Sequence, residues 1–214
     1  MDIQVWSDIV CPWCYIGKRR LERAIAHLGE PVSVTFRAFQ LDPSPVPSGL
    51  PIRDALAATF GDRARAEQMV AHVTSIAAGD GLAIDYERAI AANTFDAHRL
   101  IAWAAGQGRQ VDMLEALQRA HFIDGLDIGS RTVLAAVARS ITGQAAPDPA
   151  AYLASDAGTG AVHADLAEAR ELSITSVPFL MIDGKYAVQG AQEPATLIEA
   201  FTEIARREAV DAGR

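Results

Sequence analysis

Strand-forming sequence is confined to the two ends of this 214-residue chain, and that confinement limits the folds open to it. Near the N-terminus, residues 2 to 7 alternate well enough for a strand. The segment Tyr15 to Leu28 then reads as a helix, and Cys14 just before it falls with Gly17, Leu21, Ala24, Ile25 and Leu28 on one side at three- and four-residue steps. Gly29 and Pro31 stop that helix, and Val32-Ser33-Val34-Thr35-Phe36 alternates again with β-branched residues. The result is a β-α-β unit, which favours a parallel strand pair and a right-handed crossover. Strand signals return only at Phe179-Leu180-Met181-Ile182 and Tyr186-Ala187-Val188. Between them Asp183-Gly184 is a two-residue hairpin turn, and a last helix opens near Pro194.

The interior of the chain is helical. Residues 42 to 51 hold Pro43, Pro45, Pro47, Gly49 and Pro51 and read as a loop. From about residue 52 to 172 the chain is alanine-rich, with helices predicted near 62–78, 94–106, 109–122, 130–141, 148–154 and 158–172. Gly79, Gly81, Gly106, Gly108, Gly125, Gly129, Gly143 and Pro147 separate them. The predicted fold class is α/β. Residues 1–50 and 173–214 build the sheet-bearing part, and residues 51–172 form an inserted helical subdomain.

Composition narrows the function. Half the residues are hydrophobic and 21% are charged, as in ordinary soluble domains, and the formal net charge of −8 argues against nucleic-acid or anionic-membrane partners. The chain shows no basic, then apolar, leader at its start and no window of roughly 20 uncharged apolar residues. The expected location is therefore the cytoplasm, where structural disulfides are rare.

That expectation bears on the chain's only cysteines, which share one tetrapeptide, Cys11-Pro12-Trp13-Cys14, at the first strand-to-helix junction. A Cys-x-x-Cys pair there is the sequence form of a thiol–disulfide redox centre. Cys11 at the helix start is the expected nucleophile. Backbone N–H groups and the helix dipole favour its thiolate, and such thiols ionise at roughly 3.5–7.5 instead of about 8.5. Pro12 suits the first helical turn. Trp13 adds bulk beside the pair. Cys14, one turn on, is the expected resolving thiol and the more buried of the two. The chemistry requires Cys11 to be reachable from solvent. The competing reading is a static disulfide or two inert buried thiols.

Four stretches, in this order, resemble the FrnE-like subgroup of the DsbA superfamily. They are Ser7 to Gly17, Asn93 to Leu100, Thr175 to Phe179, and Gly184 to Gln192. The resemblance implies a thioredoxin fold with a helical insertion and a protein disulfide oxidoreductase using the Cys11/Cys14 couple. It further implies a cis-proline loop at Val177-Pro178 facing the cysteines, with the Val177 backbone open to an extended substrate. Asp8 is a candidate proton acceptor for Cys14 or a loop-backbone acceptor, the second reading being the commoner for such a residue. Asn93, Phe95 and His98, near Arg99, are candidates for a substrate groove above Cys11. Trp103 and Phe122 read as core.

No tightly bound cofactor and no metal are expected, since a zinc site needs about four ligands and only two thiols are present. His27, His72, His121 and His163 show no paired spacing. Glutathione is a candidate co-substrate. The expected partners are disulfide- or dithiol-containing proteins or small molecules, with the helical insertion offering a homodimer face. The same superfamily includes glutathione-dependent 2-hydroxychromene-2-carboxylate isomerases and kappa-class glutathione transferases. These generally carry serine at the position matching Cys11, and the Cys11/Cys14 pair departs from that pattern. A redox sensor that switches a binding surface without turnover is a third reading.

Overall fold

In a computed structural model of the chain, residues 1–29, 31–142 and 146–212 are described; Gly143, expected between two helices, lies outside them. The N-terminal unit is β1 (Asp2–Ser7), α1 (Pro12–Ala26) and β2 (Ser33–Ala38). Seven helices follow: α2 (Ile52–Phe60), α3 (Arg63–Gly79), α4 (Phe95–Ala105), α5 (Gln110–Phe122), α6 (Arg131–Thr142), α7 (Pro149–Ala154) and α8 (Thr159–Glu171). The chain closes with β3 (Phe179–Ile182), β4 (Tyr186–Gln189) and α9 (Pro194–Ala212).

The four strands form one sheet in the order β2-β1-β3-β4. β1 runs parallel to β2 in a register that sets Val5 opposite Phe36, and antiparallel to β3, with Val5 opposite Leu180. β3 and β4 make the predicted hairpin. Asp183 and Gly184 both sit at positive φ, 51° and 66°, the backbone that a two-residue turn of this hand requires. Asp183 also ties the turn to β1, its carboxylate accepting from the Asp2 N–H at 2.7 Å.

One hydrophobic core joins the sheet to the helices: Ile3, Val5, Leu180 and Ile182 pack with Leu100, Leu117 and Leu134 of the inserted segment. The outer edge of β2 is closed by side chains. Gln110 both accepts from the Phe36 N–H and donates to the Phe36 carbonyl at 3.0 Å, and Asp165 accepts from the Ala38 N–H at 2.9 Å. Such capping removes the exposed strand edge that invites pairing with another chain.

Two elements differ from the sequence expectation. α1 starts at Pro12, three residues before the apolar spacing becomes regular, because Pro12 at the first helical position fixes φ where no N–H is needed. α2 lies ahead of the first internal helix that the sequence predicts, near residue 62. Ile52 is its one buried residue, so it carries almost no amphipathic signal, and Gly61 at φ 67° ends it in the left-handed conformation. Phe122 is fully buried as expected, while Trp103 is half-buried against Tyr152.

Candidate active site

The end of β1 and the start of α1 build the site. β1 buries Trp6 and Ser7, and the chain then turns through Asp8, Ile9 and Val10 to Cys11. Cys11 is the residue that caps α1; its backbone is extended (φ −84°, ψ 112°), and its carbonyl accepts from the N–H of Cys14 at 3.0 Å and of Tyr15 at 3.3 Å. Its sulfur therefore sits at the end of the helix where N–H groups lack helical partners. Both cysteines are free thiols.

The second half of the site comes from the far end of the sequence. The Val177–Pro178 peptide bond before β3 is cis, and the Cys11 Sγ approaches the Val177 carbonyl at 3.8 Å. Trp6, Cys11, Cys14, Ile174 and Val177 form one small apolar cluster, flanked by Trp13, Phe39, Phe179 and Met181. The expectation of an open Cys11 is corrected: Cys11 is 4% exposed and Cys14 2%. The cause is this apolar surround, with half-buried Trp13 bridging from it to the neighbouring cluster under α3.

The two sulfurs are electrostatically unequal. Burial pushes the Cys14 thiol well up, and its hydrogen bond with Cys11 and the charge on Cys11 push it further. A backbone hydrogen bond from Asp8 opposes this, and the nearby Asp8 carboxylate adds to it. Cys14 thus keeps its proton. Tyr86, whose phenol burial and the charge on Cys11 both push upward, is a neighbour that sequence reading missed. The alternation Leu82-Ala83-Ile84-Asp85-Tyr86, buried at every second residue, is the signal that points Tyr86 inward.

Asp8 is 1% exposed, and its Oδ2 accepts from the Leu41 N–H at 2.8 Å, so it pins the proline-rich loop. His98 departs from its expected place in an open groove. It is 4% exposed, its Nε2 lies 2.9 Å from the Phe39 carbonyl and 3.4 Å from Asp8 Oδ1, and it lines a cavity of about 210 Å³ beside β2. Asn93 also faces the chain's own backbone, donating to the Pro43 and Ser44 carbonyls and accepting from the Phe95 N–H. Phe95 packs on His163 at 5.1 Å. Arg99 is buried and donates to the carbonyls of Tyr152, Ser155 and Ala157 around the end of α7. Among the described residues no three His, Cys, Asp or Glu side chains converge to hold a metal ion, and no helix is long and apolar enough to cross a membrane.

A β-α-β/β-β-α sheet with a free dithiol at the start of the first helix, set against a cis-proline loop, defines a thioredoxin-fold thiol protein. Residues 2–202 match the DSBA-like thioredoxin domain, and the chain belongs to that family. A probable DsbA oxidoreductase from Streptomyces coelicolor superposes with a TM-score of 0.88 at 35% identity, covering 95% of this chain and 89% of that one. A cytosolic disulfide reductase, DsbM, from Pseudomonas aeruginosa, solved with glutathione, superposes at 0.64 with 19% identity over 97% and 100% of the two chains. A 2-hydroxychromene-2-carboxylate isomerase does so at 0.70 with 16% identity over 98% of each. These last two likenesses are of fold. An uncharacterized Bacillus subtilis protein, YwbO, is 46% identical over 54 residues, which cover 25% of this chain and only 26% of that protein's length.

Proposed function

We propose that this protein is a cytoplasmic thiol–disulfide oxidoreductase of the FrnE-like kind, working through the Cys11/Cys14 couple. The observation that carries the reading is the pairing of an unequal dithiol with the Val177 backbone. The Cys11 sulfur lies 3.8 Å from the Val177 carbonyl, while Cys14 behind it is held protonated by burial and by Cys11.

The chemistry follows from that inequality. The Cys11 thiolate attacks one sulfur of a substrate disulfide, forming a mixed disulfide and releasing the other sulfur as a thiolate. Cys14 then attacks the Cys11 sulfur, the bond from Cys11 to the substrate breaks, and the Cys14 proton passes to a nearby base, for which Asp8 is the candidate. Run backwards, the oxidised pair transfers its disulfide to a dithiol. Substrates are disulfide- or dithiol-containing proteins or small molecules, laid along Val177 with Trp13 displaced. Glutathione is the co-substrate that returns the pair to its starting state, a role its free thiol and extended peptide backbone suit.

The test is a pair of variants assayed for insulin reduction and for dithiol oxidation. Cys11→Ser is expected to abolish both activities, and Cys14→Ser to accumulate mixed disulfides with substrate. Full activity of Cys11→Ser would sink the reading. The competing function, a glutathione-dependent isomerase or transferase, is supported by fold likeness, and Cys14 counts against it. It requires saturable glutathione binding and turnover that survives Cys14→Ser.

A further inference from the structure

The cavity of about 210 Å³ beside β2 lies where the outer edge of the sheet meets α4 and α8, and neither cysteine lines it. α4 presents His98, Ile101, Ala102 and Ala105 to it, positions spaced i, i+3, i+4 and i+7 that form one helix face. α8 contributes Ala161. Alanine at three of these five positions keeps the space open, because larger apolar side chains there would fill it. Exposure grades along the α4 face. His98 is buried at one end and Ala105 is exposed at the other, which gives the cavity a closed inner end and a mouth.

Ser7 of β1, 3% exposed, and His98, 4% exposed, bring polar atoms to the inner end. His98 Nε2 donates to the Phe39 carbonyl at 2.9 Å, which leaves Nδ1 as the second polar atom of the ring. Among the described residues neither this Nδ1 nor Ser7 Oγ hydrogen-bonds to a protein group, and neither is sealed off as the side-chain polar atoms of Gln118 and His121 are. Polar atoms of buried side chains are paired in the large majority of cases, so two unpaired ones on one cavity wall indicate a partner from outside the chain. The other polar groups around the cavity are engaged. Arg37 and Asp165 pair at 2.9 Å, the second Asp165 oxygen accepts from the Ala38 N–H, and Gln110 holds both backbone polar groups of Phe36.

We propose that this cavity binds a small, uncharged, hydroxyl-bearing aromatic molecule, with its ring between α4 and α8 and its hydroxyl at Ser7 Oγ and His98 Nδ1. Volume sets the size. An engineered apolar cavity of about 150 Å³ takes up benzene, so a cavity of about 210 Å³ holds one ring and a few further atoms. The pairing of Arg37 with Asp165 selects against a net charge, because a charged ligand would lose its water and find no free counter-ion. A hydroxyl both donates and accepts, so a single such group satisfies Ser7 Oγ and His98 Nδ1 together. The event is binding alone, and no bond of the ligand breaks. The cavity shares no lining residue with the apolar cluster around Cys11 and Cys14, so the site stands whether or not that pair carries redox chemistry.

Phenol is the probe, with toluene and benzoate as comparisons. Phenol is uncharged at neutral pH, since phenolic hydroxyls ionise near 10. Toluene has the same size without the hydroxyl, and benzoate carries a charge. Each is titrated into the wild-type protein and followed by backbone amide NMR shifts. Phenol is expected to saturate with a Kd of about 1 mM or tighter, and toluene and benzoate to bind about tenfold or more weakly. The amides that move should be those of Ala102, Ala161 and Gln110. Ala102→Leu extends a side chain into the cavity and should abolish phenol saturation with little change in melting temperature. Ser7→Ala should weaken phenol several-fold and leave toluene unchanged. Phenol that fails to saturate, phenol and toluene that bind equally, or undiminished phenol binding by folded Ala102→Leu each overturns the proposal. Should Ala102→Leu fail to fold, the wild-type shifts and Ser7→Ala decide. Shifts confined to the residues around Cys11 and Val177 would place phenol at the dithiol and refute the cavity as its site.

Discussion

A Cβ atom built on Gly17 would lie 2.9 Å from Cγ of Pro178 and 3.4 Å from Cβ of Ala191. Gly17 sits on α1 one turn past Cys14, so its bare Cα lets the proline loop rest against the helix and keeps Val177 beside Cys11. Gly17→Ala tests this. Alanine in a helix gains about 0.5–1 kcal/mol over glycine, which offsets part of the clash. The melting temperature should therefore move little. Disulfide reduction should fall roughly tenfold or more, since small misplacements of reacting groups carry large rate penalties. Activity at the wild-type level would show that the close approach has no bearing on the chemistry.

Trp13 is the residue to move if Cys11 is to be reached. It is half-buried, packs against both the cluster that holds the cysteines and the cluster under α3, and its ring lies 6.5 Å from that of His72. Trp13→Ala should speed alkylation of Cys11 by iodoacetamide several-fold. It should also cost about 1–2 kcal/mol of stability, less than a fully buried tryptophan because the ring is only partly covered. An unchanged alkylation rate would place the barrier to Cys11 elsewhere.

The fold was legible where the sequence carries its own periodicity or turn chemistry: the alternation at Ile3, Val5 and Val34, and the Asp183-Gly184 turn. The redox pair was legible because two cysteines in 214 residues share one tetrapeptide. What failed was any property set by which face of an element meets which neighbour. His98 looked like a groove residue because nothing local shows that Asp8 and the Phe39 carbonyl come to it from elsewhere in the sequence. Asp8 reads from the sequence as either a proton acceptor or a loop-backbone acceptor; in the structure its Oδ2 accepts from the Leu41 N–H, and its Oδ1 has no hydrogen bond. His121 shows no paired spacing with another histidine, and nothing local in the sequence marks it as fully buried.

Asp80 ends α3 and meets two arginines of α1, accepting from Arg20 Nε at 2.8 Å and Arg23 Nη1 at 2.9 Å. Arg20 continues to the Ala191 carbonyl at 2.8 Å and to Glu193, so this cluster joins α1, the helical insertion and the segment after β4. Asp80 and Arg20 are both nearly buried. Asp80→Ala leaves Arg20 charged in the interior without its main partner and should cost about 3 kcal/mol. Urea denaturation measures it. A loss of less than about 1 kcal/mol would assign the pair to the solvent-screened class.

His121 gives the protein an acid-sensitive step in stability. An unfolded imidazole ionises near 6.5, while burial holds His121 in the folded protein down to about 4. Between those values the unfolded chain binds a proton that the folded protein does not, so stability increases with pH across the window. The contribution is fully present above about pH 6.5 and is lost as the pH falls towards 4, a span worth about 3 kcal/mol at roughly 1.4 kcal/mol per unit. Asp and Glu side chains titrate over the lower part of the same range, so the comparison must be with His121→Phe, which keeps them all. Denaturation midpoints of wild type should fall more steeply than those of the variant between pH 6.5 and 4. Parallel curves would mean that His121 is reached by water and protonated in the folded state as readily as in the unfolded chain.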